Sequence, residues 1–315
     1  MSAVGAQQTR LALDWANARL APMPRHTVFD LLSQSSPVVG PGIWDALSAK
    51  VAVRAGFELV FLSGYGLSAS LLGEPDFGLI TQTQMTEAAA RVCAAVEMPV
   101  IVDIDTGYGG PFNVERTIKT LVNAGAAGCF LEDQEFPKRC GHMEQKRVIA
   151  VEDYLPKLAA ALQARGNARF HVTARTDAAA VHGIDEAIRR AKVYRDAGAD
   201  AVFVEAPRSI EDLQRIRDEV RDVTLVANMV EQGKTPILPV NDLGDMGFGL
   251  IAVPVAGLLA TSFALTRLLT TLKRDGTTQA ERSQMNTFHQ LNSLLGLDEL
   301  YARENKWSRK EAPAR

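Results

Sequence analysis

The chain has 315 residues, of which 47% are hydrophobic and 23% charged, a composition that can bury a large core and excludes disorder. Its 34 Lys and Arg stand against 37 Asp and Glu, and the formal charge of −3 offers no electrostatic ground for a nucleic-acid or membrane partner. The three cysteines, Cys93, Cys129 and Cys140, are odd in number and widely spaced, so they form no disulfide framework and fit a reducing, cytoplasmic compartment.

Arg10, Asp14 and Arg19 break up the first 25 residues, so no apolar targeting segment is read there, and no run reaches the roughly 18 apolar residues of a membrane span. Residues 1–30 read as an N-terminal helical extension, and a first strand is expected over Ser36–Gly40. A unit then recurs in which a helical run ends at a glycine and a short apolar strand follows. Its copies are Gly56 into Leu59–Gly64, Gly125 into Cys129–Asp133, Gly198 into Val202–Ala206, and Gly247 into Leu250–Pro254. Glycine after the last helical turn is the left-handed stop that a helix needs before a strand. Three further strands share the rhythm. Val100–Asp105 follows a helix over Thr83–Val96, Phe170–Arg175 follows Val151–Gln163, and Thr224–Asn228 follows Ile210–Val220.

These strands are continuous apolar runs, so both faces are buried, as in a parallel sheet covered by helices. Eight such units in one chain read as a closed (β/α)₈ TIM-type barrel over 31–275. No Gly-x-Gly-x-x-Gly turn follows any strand, which removes support for an open dinucleotide-binding sheet. Residues 276–315 read as a C-terminal helical extension. Its apolar Leu291, Leu294, Leu295 and Leu300 need a partner surface, on this barrel's flank or on another subunit.

A parallel barrel carries its active site at the C-terminal ends of its strands. Standing there are Ser63 with Gly64, Asp103 with Asp105, Glu132 with Asp133, Arg175, Glu205 and Asn228. Asp103 and Asp105 are expected on one strand face, since side chains repeat every second residue. For any single Asp, a solvated strand end or helix cap is the better reading. Polar groups on five strand ends reverse that preference. Converging carboxylates repel unless a cation neutralises them, and oxygen donors with waters suit Mg²⁺ first and Mn²⁺ second. No His or Cys cluster has zinc spacing. Asp133 points away from Glu132 and reads as structural.

After Glu132 comes a loop containing Lys138-Arg139-Cys140-Gly141-His142. Two cations and a histidine beside the thiol are expected to lower its pKa, and Lys138, Arg139 and His142 to bind an anion. Gly141 permits close backbone approach, and the whole segment reads as a lid. Cys93, on an apolar helix face, and Cys129, in a buried strand, read as inert. His26, His171, His182 and His289 have no partner pattern and are given no role.

Several of these stretches together resemble the isocitrate lyase/phosphoenolpyruvate mutase superfamily. They are Ser63-Gly64, Gly73-Glu74-Pro75-Asp76, Asp103-Ile104-Asp105-Thr106-Gly107-Tyr108-Gly109, Leu131-Glu132-Asp133-Gln134, Lys138 to His142, Arg175-Thr176-Asp177 and Asn228-Met229. The cysteine run is similar to that of the lyase branch, which holds 2-methylisocitrate lyase, 2,3-dimethylmalate lyase and oxaloacetate acetylhydrolase. The branch that works on P–C bonds generally lacks it.

The resemblance implies a barrel whose last helix is swapped between subunits of a homotetramer. It puts Asp103 directly on Mg²⁺, with Asp76, Asp105 and Glu132 holding the metal's waters. It makes Cys140 the acid/base, sets Ser63, Gly64 and Arg175 on an α-keto acid end, and sets Gly141, His142, Glu205 and Asn228 around a second carboxylate product. Where methylisocitrate lyases carry a His and a Gly, this chain has Phe130 and Tyr65. A bulkier, less polar pocket favours a small alkylmalate over a tricarboxylate. The implied reaction is cleavage of a 2-hydroxy dicarboxylate into an α-keto acid and a carboxylate. Its rivals are oxaloacetate hydrolysis, carboxyphosphonoenolpyruvate-type P–C chemistry, and a barrel without turnover that serves as a binding protein.

Overall fold

The structure is a computed structural model that describes residues 26–308. Eight parallel strands close into a barrel in sequence order: β1 (Val38–Ile43), β2 (Val60–Leu62), β3 (Val100–Asp103), β4 (Gly128–Glu132), β5 (His171–Thr176), β6 (Ala201–Val204), β7 (Thr224–Asn228) and β8 (Leu250–Val253). The glycines that end the repeated helices, Gly56, Gly125, Gly198 and Gly247, all have φ between 85° and 96°, the left-handed region that their position demands. The helices Gln82–Ala95, Val151–Ala164 and Ile210–Glu219 fall within a residue of their expected bounds.

The first strand departs from expectation, running to Ile43 rather than stopping at Gly40. The added residues lie where the barrel closes. Val38 through Pro41 pair with Leu250 through Val253, and a Cβ on Gly42 would lie 2.1 Å from the Pro254 carbonyl oxygen. Glycine is what allows the two chains to approach there.

Alternation along each strand divides the core into two layers. Val60, Leu62, Val100, Val102, Cys129 and Leu131 face outward and pack under the helices. Phe61, Ile101, Phe130, Phe203, Val226 and Leu250 face inward and fill the barrel. Phe130 lies 5.7 Å from Phe61 and 5.8 Å from Phe203 between ring centroids, so three aromatic rings form a floor across the interior. Register carries the same faces one step higher: Asp103 stands opposite Phe130, Glu132 opposite Arg175, and Arg175 opposite Phe203. Everything polar at the strand ends therefore sits on an apolar plug. The short helix Val28–Leu32, fastened at its start by a reciprocal Thr27–Asp30 capping box, adds Val28 and Leu31 to the interior cluster.

The described residues form two compact units, one of 26–53 with 57–259 and one of 54–56 with 260–308. The second holds most of the helix Ala256–Asp275, a 3₁₀ turn over Gln279–Gln284, and the helices Phe288–Leu295 and Leu297–Ser308, which Gly296 separates with φ 86°. Phe263, Phe288 and Trp307 are exposed. Of the extension expected over 1–30, residues 1–25 lie outside the described residues.

Asp133 is structural, as its direction suggested. It is fully buried and accepts from the Thr176 hydroxyl at 2.7 Å, the Asp177 amide at 2.9 Å, Arg190 Nη1 at 2.9 Å and the Tyr194 hydroxyl at 2.7 Å. It thereby pins the end of β5 to the helix Ile184–Asp196. Asp133→Ala would leave the buried Arg190 without this partner, and stability should fall by about 3–5 kcal/mol, read as a lower urea midpoint.

Candidate active site

Six carboxylates and three cations meet above the aromatic floor. At the first end, β3 stops at Asp103, and Asp105 itself has φ 49°, off the extended path of the strand. The shared strand face expected for the two is thus replaced by a turn, held by the Asp105 amide donating to Asp103 Oδ1 at 3.2 Å. Their carboxylates still converge. A Cβ on Gly64 would come to 3.0 Å from Asp103 Oδ2 and 3.3 Å from Asp105 Oδ1, so Gly64 gives them room. Ser63 lines the cavity and also caps the helix Gly64–Leu71, its hydroxyl accepting from the Gly66 amide at 3.1 Å.

Lys138, expected to bind an anion, lines the cavity with its ammonium paired to two carboxylates. Its buried Nζ lies 2.6 Å from Asp76 Oδ2 and 2.5 Å from Asp105 Oδ1, inside the acidic cluster. Burial pushes the Asp105 carboxyl up to about 7; Lys138 opposes this, while Asp103 and Asp76 reinforce it. Burial also pushes Glu132 well above the usual carboxylate range against the pull of Arg175. Glu132 Oε2 is 3.3 Å from Arg175 Nε, and Oε1 is buried without a partner. These are the marks of a site that wants a cation. The donors are all oxygens, and an unpaired buried carboxylate oxygen fits a hydrated divalent ion. Among the described residues no three Asp, Glu, His or Cys side chains form a direct ligand cage.

The second end is built on Arg175. Its guanidinium makes a forked contact with Asp177 at 2.9 and 3.1 Å, lies 3.3 Å from Glu205 Oε2, and rests over the Phe203 ring at 5.1 Å. Glu205 is fully buried, and although burial alone would raise its carboxyl, Arg175 and His142 hold it down at about 2. Asn228 Nδ2 donates to both Glu205 oxygens at 3.2 and 3.3 Å. His142 Nδ1 accepts from the Lys234 amide at 2.9 Å, which places the hydrogen of a neutral ring on Nε2, 3.0 Å from Glu205 Oε1. Gly141 is required by space. A Cβ there would lie 2.5 Å from the Glu205 side chain and 2.6 Å from Arg175 Nη2.

Between the two ends lies a cavity of about 260 Å³, lined by Phe61, Phe130 and Phe203 below, Tyr65 and Cys140 at the side, and Val230, Pro254, Val255 and Leu259 opposite. Arg139 does not join it. Its guanidinium donates to the Glu144 carbonyl and Gln145 Oε1 and stacks on Phe77 at 5.3 Å, so the anion-binding role expected for it is not supported. The expected acidity of Cys140 is overturned as well. Burial pushes its thiol up to about 11, and Lys138, Arg139 and His142 are engaged elsewhere, with carboxylates, with loop carbonyls and with Glu205. Cys129 and Cys93 are likewise pushed up by burial. His171 is buried against Phe29 below the floor and held down at about 4 by burial, outside the site.

Three participants escape a reading from sequence. Asp177 was visible only within the Arg-Thr-Asp run. Lys146 sits in a charged stretch that looks like solvated surface. Lys234 meets His142 across 92 positions, through a backbone amide that no side-chain pattern reports.

A closed parallel barrel with opposed acidic and basic groups at its strand ends defines an enzyme of the phosphoenolpyruvate mutase/isocitrate lyase type. The family model described as phosphoenolpyruvate phosphomutase matches residues 29–273, and the chain belongs to that family. It is 44% identical to the petal death protein of Dianthus caryophyllus, covering 95% of this chain and 94% of that one. It is 42% identical to 2,3-dimethylmalate lyase of Eubacterium barkeri, covering 89% and 96%. Oxaloacetate acetylhydrolase bound to 3,3-difluorooxalacetate superposes with a TM-score of 0.85 at 33% identity, over 90% of this chain and 96% of that one.

The raised thiol predicts its own reactivity. At pH 7.5 iodoacetamide should alkylate Cys140 about 100-fold more slowly than a thiol at the ordinary 9.0, with the rate still climbing above pH 9.5, as followed by peptide mass spectrometry.

Proposed function

We propose that the protein is a divalent-metal-dependent carbon–carbon lyase that cleaves a 2-hydroxy dicarboxylate, of the 2-alkylmalate or 2-methylisocitrate type, into an α-keto acid and a carboxylate. The carrying observation is a single small cavity with a carboxylate cluster at one end, Arg175 with His142 and Asn228 at the other, and a protonated thiol between. A cation bound by Asp103, with Asp76, Asp105 and Glu132 on its waters, would supply Lewis acidity at the 2-hydroxy acid end. Mg²⁺ is the first choice and Mn²⁺ the second.

Once a base has taken the 2-hydroxyl proton, the steps that follow fall to this chain's own groups. Lys138 keeps Asp76 and Asp105 together despite their like charge. Ser63, Gly64 and Arg175 orient the keto-acid half. The other half leaves as an enediolate, its charge met by Arg175, His142, Asn228 and the Gly141 backbone, with Glu205 fixing the first three of these. Cys140 gives its proton to the carbon that becomes electron-rich when the bond breaks, and the aromatic floor keeps water away from that carbon.

The apolar wall of Val230, Val255 and Leu259, with Phe130 and Tyr65, supports an alkyl-substituted substrate over a tricarboxylate. The close superposition on oxaloacetate acetylhydrolase supports a second reading, hydrolysis of oxaloacetate to oxalate and acetate at the same site. A homotetramer accords with the exposed Phe263, Phe288 and Trp307, and a cytoplasmic location with free thiols; among the described residues no helix is long and apolar enough to cross a membrane.

A panel of 2-alkylmalates, 2-methylisocitrate and oxaloacetate, assayed with Mg²⁺, should release keto acid from an alkylmalate. Oxalate as the sole product would favour the hydrolase, and no turnover on any member would refute both. On the preferred substrate, Cys140→Ser should fold normally and lose at least ~100-fold in kcat, so near-normal turnover would remove the acid role. Asp103→Ala should abolish the response to added Mg²⁺, and an unchanged metal titration would remove the metal assignment.

A further inference from the structure

Lys146 is a charged side chain that neither end of the cavity has used. It lies in the loop beyond Cys140, its side chain is 1% exposed, and its Nζ makes two short contacts, 2.5 Å to the Gly141 carbonyl oxygen and 2.6 Å to Asp177 Oδ1. Burying an ammonium is costly unless its hydrogens are taken up, and the two partners here belong to different parts of the fold. Gly141 lies in a stretch without regular secondary structure. Asp177 follows β5, where Asp133 holds its amide and where it grips the Arg175 guanidinium with both oxygens. Burial would raise the Asp177 carboxyl, but Arg175 and Lys146 hold it far below its usual range, so it stays an anion for both.

We infer that Lys146 is a positioning residue that fastens the cysteine loop to the Arg175–Asp177 pair and thereby seats Cys140 and Gly141 over the cavity. The steric and the ionic observations agree. The absent side chain of Gly141 lets its backbone press against Glu205 and Arg175, and the carbonyl of that same residue is the one Lys146 holds. The loop's other anchors lead elsewhere: the Cys140 amide to the Asp76 carbonyl at 3.1 Å, the His142 ring to the Lys234 amide and Glu205, and the Met143 carbonyl and Glu144 carboxylate to Lys234 Nζ. Lys146 is the tie that reaches Asp177. Lys146 touches neither reacting atoms nor the acidic cluster, so it acts through the residues it holds.

The role deepens the lyase reading, since it presumes that Cys140 works from this loop, yet it can be tested without substrate. In Lys146→Met, alkylation of Cys140 by iodoacetamide should accelerate at least ~10-fold at pH 7.5 as the loop lifts and the thiol regains solvent. Cys129, buried in β4, is the internal reference and should stay as slow as in the wild type. General loosening would raise both thiols together, and that result overturns the inference, as does an unchanged Cys140. Lys146→Gln, shorter but still able to donate, guards against a folding failure and should fall between wild type and Lys146→Met. If neither variant gives a folded protein by circular dichroism, the lysine is structural and the inference fails. A failed substrate panel with the expected alkylation pattern would refute the lyase reading alone.

Discussion

Burying charge at the mouth of an apolar barrel is the constraint on which the rest of this molecule depends. Asp76, Asp103, Asp105, Glu132, Asp177 and Glu205 crowd above three phenylalanines, with Lys138, Lys146 and Arg175 as their fixed counter-charges. Lys138 and Arg175 each bridge at least two carboxylates, and Lys146 joins Asp177 to the Gly141 carbonyl. Such bridging keeps like charges close without letting them escape to solvent. The six carboxylates outnumber the three cations, and burial, reinforced at Asp105 by Asp103 and Asp76, raises the Asp105 and Glu132 carboxyls. A divalent cation at Asp103 would offset that excess and return both groups to their ionised form.

The positions of these groups follow from strand geometry. Period-two alternation puts Phe130 and Glu132 on one face of β4, and register sets Glu132 beside Arg175 on β5 and Arg175 beside Phe203 on β6. That much was legible from residue types alone, because a parallel barrel leaves a strand-end side chain only two directions, and the outward one is filled by helices. The repeated glycines were legible for the same reason: a helix that must stop before a strand admits few alternatives. Loops offer no such rule. Lys138, Arg139 and His142 are neighbours in sequence and lie on three different partners, so an electropositive segment becomes, in space, a thiol without a nearby free cation. The shared strand face read for Asp103 and Asp105 failed for a related reason, since the left-handed φ of Asp105 abolishes the period on which it was read, although the two carboxylates still converge.

The floor and the wall act on specificity in a different way from the charges. Phe61, Phe130 and Phe203 set the depth of the cavity, and Val230, Val255 and Leu259 close a side on which no cation stands. A substrate with two carboxylates can satisfy the cation site and Arg175. A third carboxylate would face that wall with no donor to replace its lost water, a cost of several kcal/mol, whereas an alkyl group gains there. Shape thus discriminates by what it fails to solvate.

The overturned expectation for Cys140 bears most directly on chemistry. A thiol with a depressed pKa would be a thiolate at neutral pH, suited to attack or to take a proton. The thiol found here, pushed up to about 11, keeps its proton and can give it. Glu205, held down at about 2 a few ångströms from the same loop, cannot serve as an acid and is suited to holding Arg175 and His142. Environment has therefore separated the two groups in the direction that proton delivery to a developing carbanion requires, the arrangement by which acid and base roles are assigned elsewhere. Opening the loop would carry the thiol away from the cavity, which is why the contacts that keep Gly141 seated on Glu205 and Arg175 matter to the reaction and not only to the fold.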